Sequence, residues 1–295
     1  MNATPHDVND DTCRFILNVT CASAQGQVAA IVGFLDGLGC YIDEFSVFDE
    51  RETRRFFVRC EFHRPSPHHL DRATLVEGFA PIARRLGFEW AIFDARVKPK
   101  VLILVSKLDH CLVDLLHRQR VNELPIDIAA VVSNHRDLEP VARARGIEFH
   151  HLPVSPETKA GQEAKLEALI ERSGAELVVL ARYMQVLSTE LCARLAGRAI
   201  NIHHSFLPGF KGARPYHQAY ARGVKLIGAT AHFVTGDLDE GPIIEQVVER
   251  VDHAHTPERL LSVGRDMERT ALARAVKSVV ERRVFVHEGR TVVLR

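Results

Sequence analysis

The chain has 295 residues, of which 46% are hydrophobic and 26% charged, and Lys plus Arg equal Asp plus Glu at 38 each. This composition predicts a packed globular protein of two domains, and the even charge balance argues against a basic nucleic-acid-binding surface. No apolar run approaches the roughly 18 residues of a membrane helix, and the polar start is unlike a signal peptide. The cysteines form no CxxC pair, so we expect free thiols and a cytoplasmic location, without nucleic-acid or membrane partners.

The first third of the chain alternates strand patterns with two helical patterns in the order β-α-β-β-α-β. Apolar residues recur at helical spacing in both helical segments, and each segment closes on glycine. This order predicts a ferredoxin-like domain over residues 10–95, followed by a short basic linker at 96–100. The predicted strands cover residues 14–20, 40–49, 54–63 and 87–94, and the predicted helices cover 26–39 and 67–87.

Beyond the linker, near-continuous apolar strands alternate with helical segments. Such strands are typical of a parallel sheet covered on both faces. We therefore predict a doubly wound, mostly parallel α/β domain over residues 100–295, which ends with a long helix over 256–282 and a hairpin around Glu288-Gly289. The predicted strands are 100–106, 126–134, 147–154, 175–182, 198–204, 224–234 and 241–251, and helices are predicted at 107–121, 137–145, 157–173 and 188–197.

The stretch AINIHHSFLPGFKGARPYHQA concentrates reactive side chains at the end of a predicted strand. Open α/β sheets bind their ligands at the carboxyl ends of the strands. Because strand side chains alternate, we expect Asn201 and His203 to share one face and His204 to point to the other. A zinc site at His203, His204 and His217 is then disfavoured, since the adjacent pair diverges and neither HExxH nor HxxEH spacing is present.

A carboxylate partner for His203 is offered by GATAHFVTGDLDEGPII, where three acidic residues lie in a glycine-flanked loop between two predicted strands. A solvated turn is the alternative interpretation, which suits Asp237 and Glu240. A carboxylate against the imidazole would fix its tautomer and raise its pKa. An amide, an imidazole and a carboxylate together suit acyl chemistry, because they stabilise a tetrahedral oxyanion and move protons.

These two stretches resemble the folate-dependent formyltransferase family, and the resemblance extends over about residues 100–250. It implies the formyltransferase fold and a catalytic trio, which falls here on Asn201, His203 and Asp239. The segment ARYMQVLS resembles the family's folate-binding stretch, whose backbone contacts the pterin-like ring. The implied folate contacts are Tyr183, Met184, Val186 and Leu187 on one wall, with Thr235, Gly236 and Asp237 on the other.

Two features separate the chain from the family's nucleotide-dependent transferases. Those enzymes bind their acceptor's phosphate on a glycine-rich loop after the first strand, where bare backbone N–H groups attract an anion. Here Lys107, Leu108, Asp109 and His110 occupy that loop. The N-terminal segment resembles an ACT domain, a ferredoxin-like module that often pairs and binds amino acids, although Gln25-Gly26 replaces the usual Pro-Gly of its first turn.

With both features, nearly the whole chain resembles the hydrolases of the family, which convert 10-formyltetrahydrofolate to tetrahydrofolate and formate. This implies an enzyme that balances folate pools and supplies formate for purine synthesis, with the folate as substrate and neither cofactor nor metal. It also implies an amino-acid effector at the ACT domain and a homo-oligomer formed by ACT pairing. Two alternatives stay open: a formyltransferase with a different acceptor, and an amino-acid-sensing regulatory protein without activity.

Overall fold

The structure is a computed structural model that describes residues 13–65, 70–207 and 215–295. The predicted start of the second helix at Pro67 and the motif residues 208–214 lie outside these ranges. The chain divides into two compact units. The first contains Met1–Val97, Glu281–Arg283 and Leu294–Arg295, and the second contains Lys98–Val280 and Val284–Val293.

The described part of the first unit is an antiparallel sheet of strand order β2-β3-β1-β4 with two helices. Alternate residues of β1 (Phe15, Leu17 and Val19) pack with Ile31 of α1 and Phe79 of α2 in one core, which is the period expected of a half-covered sheet. This arrangement confirms the predicted ferredoxin-like fold. The elements are β1 (Arg14–Ala22), α1 (Gln27–Gly37), β2 (Tyr41–Glu50), β3 (Arg55–His63), α2 (Arg72–Leu86) and β4 (Glu89–Asp94).

A buried arginine ties C-terminal residues to this sheet. Arg59 is 1% exposed, and its guanidinium contacts Glu44 at 3.0 Å and Glu61 at 2.8 Å. Its Nε donates to the carbonyl of Glu281 at 2.9 Å, and Arg283 binds both oxygens of Glu44. The Arg283 hydrogen bond, with the charge of Arg59, lowers the pKa of Glu44 to about 2. The segment 281–283 therefore belongs to the first unit, while the assignment of an ACT domain to residues 10–95 stays a prediction.

In the second unit, seven described strands form a sheet of order β11-β10-β9-β8-β5-β6-β7, in which β5 to β9 are parallel and β10 is antiparallel to both β9 and β11, and β12 and β13 form a separate antiparallel hairpin. Alternate residues of β5 enter two different cores, Ile103 on one face and Leu102 on the other. Both faces are therefore covered, which confirms the doubly wound fold. The elements are β5 (Lys100–Val105), α3 (His110–Arg120), β6 (Asp127–Ser133), α4 (Glu139–Arg143), β7 (Phe149–His151), α5 (Lys159–Ser173), β8 (Leu177–Leu180), α6 (Thr189–Arg194), β9 (Ala199–His203), α7 (Pro215–Ala221), β10 (Leu226–Phe233), β11 (Ile243–Arg250), α8 (Pro257–Val280), β12 (Val284–His287) and β13 (Arg290–Val293).

Helix α7 has no counterpart among the predicted elements, because its 7 residues are too few to show a helical period. It places Tyr216 across α8 at Gly264. A Cβ atom at position 264 would lie 2.1 Å from the Tyr216 hydroxyl, so only glycine admits this close crossing. None of the helices in the described part of the chain has the length and apolar content needed to span a bilayer.

The Gly264 crossing gives a test of the α7–α8 packing. In an ordinary helix interior, Gly→Ala stabilises by roughly 0.5–1 kcal/mol. Gly264→Ala should instead destabilise the protein by about 1–3 kcal/mol, because the new methyl group forces Tyr216 out of place. Gly161→Ala is the matched control in α5, where nothing lies within 4 Å of the added Cβ. Urea unfolding of both variants measures the difference, and a Gly264→Ala protein as stable as the Gly161→Ala protein would contradict the packing.

Candidate active site

A cavity of about 580 Å³ opens in the second unit where strands β8 and β9 end. This is the position expected for a ligand site in an open α/β sheet. The structure brings together every site residue predicted from the sequence. Lining the cavity are Asn201, His203 and Asp239, with Tyr183, Met184, Val186, Leu187, Thr235, Gly236 and Asp237.

Asn201 is oriented by a histidine that the sequence analysis missed. Antiparallel pairing of β9 with β10 sets Asn201 opposite His232. Nδ1 of His232 donates to the carbonyl of Phe233 at 2.8 Å, so Nε2 is left to accept a hydrogen bond from Asn201 Nδ2 at 3.3 Å. Within the described ranges no group accepts the second amide hydrogen of Asn201, which can therefore donate to a ligand. The sequence offered one signal for His232. It lies on the predicted strand after β9, two residues beyond Thr230, the residue that pairs with His203.

Asp239 reaches both histidines from the loop between β10 and β11. Its Oδ2 lies 3.1 Å from Nδ1 of His203, and its Oδ1 lies 3.7 Å from Nε2 of His232. The hydrogen bond from His203, with the nearby His232 ring as the second cause, holds the pKa of Asp239 far below its ordinary value, despite partial burial. The carboxylate is therefore ionised, and it keeps a proton on Nδ1 of His203.

The backbone of this loop explains the Asp-x-Gly spacing. Asp239 has a φ of 58°, in the left-handed region that aspartate tolerates better than most residues. A Cβ atom at Gly241 would lie 1.7 Å from the carbonyl oxygen of Phe233. Only glycine therefore lets the chain pass close enough over β10 for Asp239 to meet His203.

His203 and His204 stack instead of diverging, with ring centroids 5.0 Å apart and an interplanar angle of 25°. The expected separation of the two rings was wrong because β9 ends at His203, so His204 no longer follows the strand alternation. Nε2 of His203 is buried and has no hydrogen-bond partner among the described residues. A buried polar atom of this kind is a binding position for a ligand or water.

His204 is held neutral by its surroundings. Arg182 Nη1 donates to its Nδ1 at 2.7 Å, so the ring proton resides on Nε2. Burial, followed by the charge of Arg182, lowers the pKa of His204 to about 4. The ring that covers His203 is therefore uncharged at neutral pH.

Behind His204 lies a polar cluster that the sequence analysis did not predict. Glu268 on α8 is 2% exposed. Its Oε2 lies 2.8 Å from His110 Nε2 and 3.3 Å from Arg182 Nε, and its Oε1 accepts from the Tyr216 hydroxyl at 3.1 Å. Burial opposes the charge, but His110 and Arg182 outweigh it, and the pKa of Glu268 is lowered. The signal in the sequence was an acid on the apolar face of α8, one position after Met267.

The predicted folate wall 183–187 is the loop between β8 and α6. Tyr183 is buried, and its hydroxyl accepts from Gln162 at 3.1 Å. The backbone N–H of Met184 donates to Ser106 Oγ at 3.0 Å. Because this N–H is already used, Met184 would contact the pterin-like ring of a folate through its carbonyl or its side chain. The side chains of Met184 and Val186 are more than half exposed, whereas Leu187 is buried. Apolar side chains at the mouth of a cavity suit an aromatic ligand.

The opposite wall is shaped by residues 235–237. Thr235 Oγ1 donates to the carbonyl of Asp237 at 3.0 Å, which closes a tight turn. Gly236 packs against Thr189 at the start of α6, since an added Cβ would lie 3.2 Å from Cγ2 of Thr189. This loop therefore lies against the helix that follows the predicted folate stretch.

The loop that holds phosphate in the transferases presents side chains here. Leu108 and His110 line the cavity, and Asp109 occupies the N-cap position of α3. His110 is committed to Glu268, as described above. Side chains thus occupy the place where a phosphate site requires bare backbone amides.

The fold and this cavity define the class of the protein. A family model described as formyl transferase matches residues 99–276. The chain is similar to glycinamide ribonucleotide transformylase 1 from Symbiobacterium toebii, at 30% identity and a TM-score of 0.62, covering 67% of this chain and 95% of that one. The class is therefore that of the formyl transferases.

The particular family follows from matches over nearly the whole chain. A formyltetrahydrofolate deformylase from Corynebacterium sp. (strain P-1) is 49% identical over 283 residues, covering 96% of this chain and 98% of the relative. A solved structure of a formyltetrahydrofolate deformylase from Burkholderia mallei ATCC 23344 is 62% identical, with a TM-score of 0.91, covering 96% of this chain and 100% of that one. The chain belongs to the formyltetrahydrofolate deformylase family, which confirms the resemblance inferred from its motifs.

The lowered pKa of His204 predicts an acid-dependent loss of stability. The ordinary pKa is 6.5 and the folded value about 4. The unfolded chain therefore takes up the proton first, and the free energy of unfolding falls as the pH drops from 6.5 towards 4. His204→Gln removes this contribution while keeping an acceptor for Arg182, so its unfolding free energy should fall less, by up to about 2 kcal/mol at pH 5. Urea unfolding at pH 7 and pH 5 measures this, and equal losses in both proteins would show that His204 is not held neutral.

Proposed function

We propose that this protein hydrolyses 10-formyltetrahydrofolate to tetrahydrofolate and formate. The observation that carries the proposal is the chain of contacts from Asp239 to His203, which leaves Nε2 of His203 without a partner beside Asn201 in the cavity. The deformylase relatives at high identity and coverage support the substrate and the reaction. The reaction releases formate and returns free tetrahydrofolate, and so balances the folate pools and supplies formate for purine synthesis.

In the mechanism that we infer, His203 moves the protons. Neutral His203 takes a proton from water on Nε2 as the water oxygen attacks the formyl carbon. Asp239 keeps the other ring proton on Nδ1 and stabilises the imidazolium that forms. Its low pKa makes Asp239 itself a weak base, which favours the route through His203 over direct transfer.

The same residues stabilise the oxyanion and protonate the leaving group. The free amide hydrogen of Asn201 and the imidazolium of His203 donate to the oxygen that becomes negative. His203 then passes its proton to N10, the bond from N10 to the formyl carbon breaks, and the product formic acid ionises to formate. Every group in this sequence is a side chain, water or the substrate, so we propose that neither a cofactor nor a metal takes part.

Water is the proposed acceptor because the nucleotide transferases hold their amine by a remote phosphate. Such remote binding orients the attack of the amine on the formyl carbon. In this chain the corresponding loop has no glycine, its Asp109 repels a phosphate, and His110 is bound to Glu268. Water needs no such attachment.

We further infer that the first unit is an ACT domain that pairs with a second copy and binds an amino-acid effector. Pairing is supported by β2, an edge strand of its sheet with exposed Tyr41, Val47 and Phe48. Apolar side chains on an open sheet edge favour association. The effector rests on the sequence resemblance alone. We place the enzyme in the cytoplasm, where thiols such as that of the half-buried Cys40 stay reduced.

Asp239→Asn should lower kcat for formate release by about 10²–10⁴-fold. Asparagine accepts the left-handed backbone, so the fold and folate binding should persist, but the amide cannot stabilise the imidazolium of His203. The matched control is Asp252→Asn, which removes another carboxylate from a histidine, His255, at 2.7 Å and does not line the cavity. The assay is formate release from 10-formyltetrahydrofolate in buffer alone. More than half of the parent kcat in Asp239→Asn, or no formate from the parent, would refute the proposal.

Glycinamide ribonucleotide at millimolar concentration should neither accelerate loss of the formyl group nor appear in formylated form. The side chains of residues 107–110 keep its phosphate from the backbone amides. Mass spectrometry of the products beside a formate assay makes the measurement. Formylated ribonucleotide produced at the rate of formate release would restore the transferase alternative.

A further inference from the structure

Arg182 occupies a backbone conformation that favours glycine. Its φ is 64°, and it directly precedes the predicted folate wall. Of the non-glycine residues with positive φ in the described ranges, only Arg182 and Asp239 line the cavity. Strained backbone of this kind persists where the side chain has a function, and Asp239 already has one.

The side chain of Arg182 joins two other groups that line the cavity. Nη1 donates to His204 at 2.7 Å, and Nε lies 3.3 Å from Oε2 of Glu268. The side chain is 11% exposed, so the pair with Glu268 is almost wholly removed from water. Burial of such a pair rarely stabilises a protein more than apolar packing would, which again points to a function.

Each carboxylate oxygen of Glu268 already has a positively charged or hydrogen-bonding partner from the chain. Its Oε1 is held by Tyr216, and its Oε2 by His110 and Arg182. A primary amine reaches a cavity mostly as an ammonium ion, which seeks a free carboxylate and is repelled by a guanidinium. In this cavity the carboxylate of Glu268 is already paired, and the guanidinium of Arg182 carries a positive charge.

We propose that Arg182 is a specificity-determining residue, whose positively charged side chain in the cavity lining excludes primary amines and leaves water as the acceptor. The proposal rests on the proposed hydrolysis, since it requires that 10-formyltetrahydrofolate binds in the cavity that Arg182 lines. Asn201, His203 and Asp239 serve either nucleophile, and Arg182 decides which one enters.

The two outcomes differ only in the bond that forms. In both, the bond between N10 and the formyl carbon breaks, and N10 takes a proton through His203. Water gives formate, whereas an ammonium ion must first lose a proton to solvent, after which the neutral amine attacks the same carbon, loses a second proton and gives a formamide. Neither outcome involves oxidation or reduction.

The test is the partition of the formyl group in Arg182→Gly. Glycine keeps the left-handed backbone without strain, and its lack of a side chain opens the cavity and removes the positive charge that repels an ammonium ion, while Glu268 stays bound by Tyr216 and His110. With 10-formyltetrahydrofolate and an excess of glycinamide at pH 8, the parent should give formate with almost no formylglycinamide above a protein-free blank. The ratio of formylglycinamide to formate should rise at least tenfold in the variant, as measured by mass spectrometry.

Two further proteins make the result decisive. Arg54→Gly relaxes another left-handed arginine, in the turn between β2 and β3, and should keep the parent ratio. Arg182→Gly with Glu268→Gln removes the buried pair together and covers failure of the single variant to fold. An unchanged ratio, or loss of both products, in the folded variants would overturn the proposal. Absence of formate from the parent would instead refute the hydrolysis itself.

Discussion

The carboxylate of Asp239 lies between two imidazoles, and the rest of the site depends on how the chain brings it there. Pairing of β9 with β10 sets His203 and His232 side by side, and the loop after β10 must turn back sharply for Asp239 to reach them. Gly241 allows the close pass over Phe233, and the left-handed backbone at Asp239 completes the turn. An ionised carboxylate here fixes the tautomer of His203 and directs Nε2 to a substrate.

The sequence predicted those parts of the structure that depend on local pattern. Continuous apolar strands such as 100–105 required two covered faces, and Asn201 and His203 followed from their place at a strand end. The Asp239 assignment needed the family resemblance, because three acids in one loop are equivalent by composition. The parts that failed depend on tertiary contacts. The stacking of His204 on His203 follows from the residue at which β9 ends, and strand ends are the least predictable boundaries.

The cluster around Glu268 was invisible to local reasoning because its members come from four separate segments. His110 starts α3, Arg182 follows β8, Tyr216 belongs to α7 and Glu268 lies within α8. Each alone has an ordinary role, such as a helix terminus or a turn. Together they supply partners for both oxygens of a buried acid, and a buried charge is tolerated only when it is paired. Gly264 shows that the packing of α7 on α8 is adapted to the same cluster.

Hydrolysis places a different demand on a protein than group transfer to a nucleotide. A transferase must hold its acceptor, and remote binding of a phosphate both raises its local concentration and aligns the amine. A hydrolase uses water, which is abundant, as its acceptor. Its active site must therefore exclude other nucleophiles from the formyl carbon. In this chain Leu108 and His110, which follow β5, present side chains to the cavity. His110 also binds Glu268, the carboxylate that would attract an ammonium ion. In our proposal, the change from transfer to hydrolysis is therefore a change in the side chains that face the nucleophile, and the proposed trio of amide, imidazole and carboxylate serves both reactions.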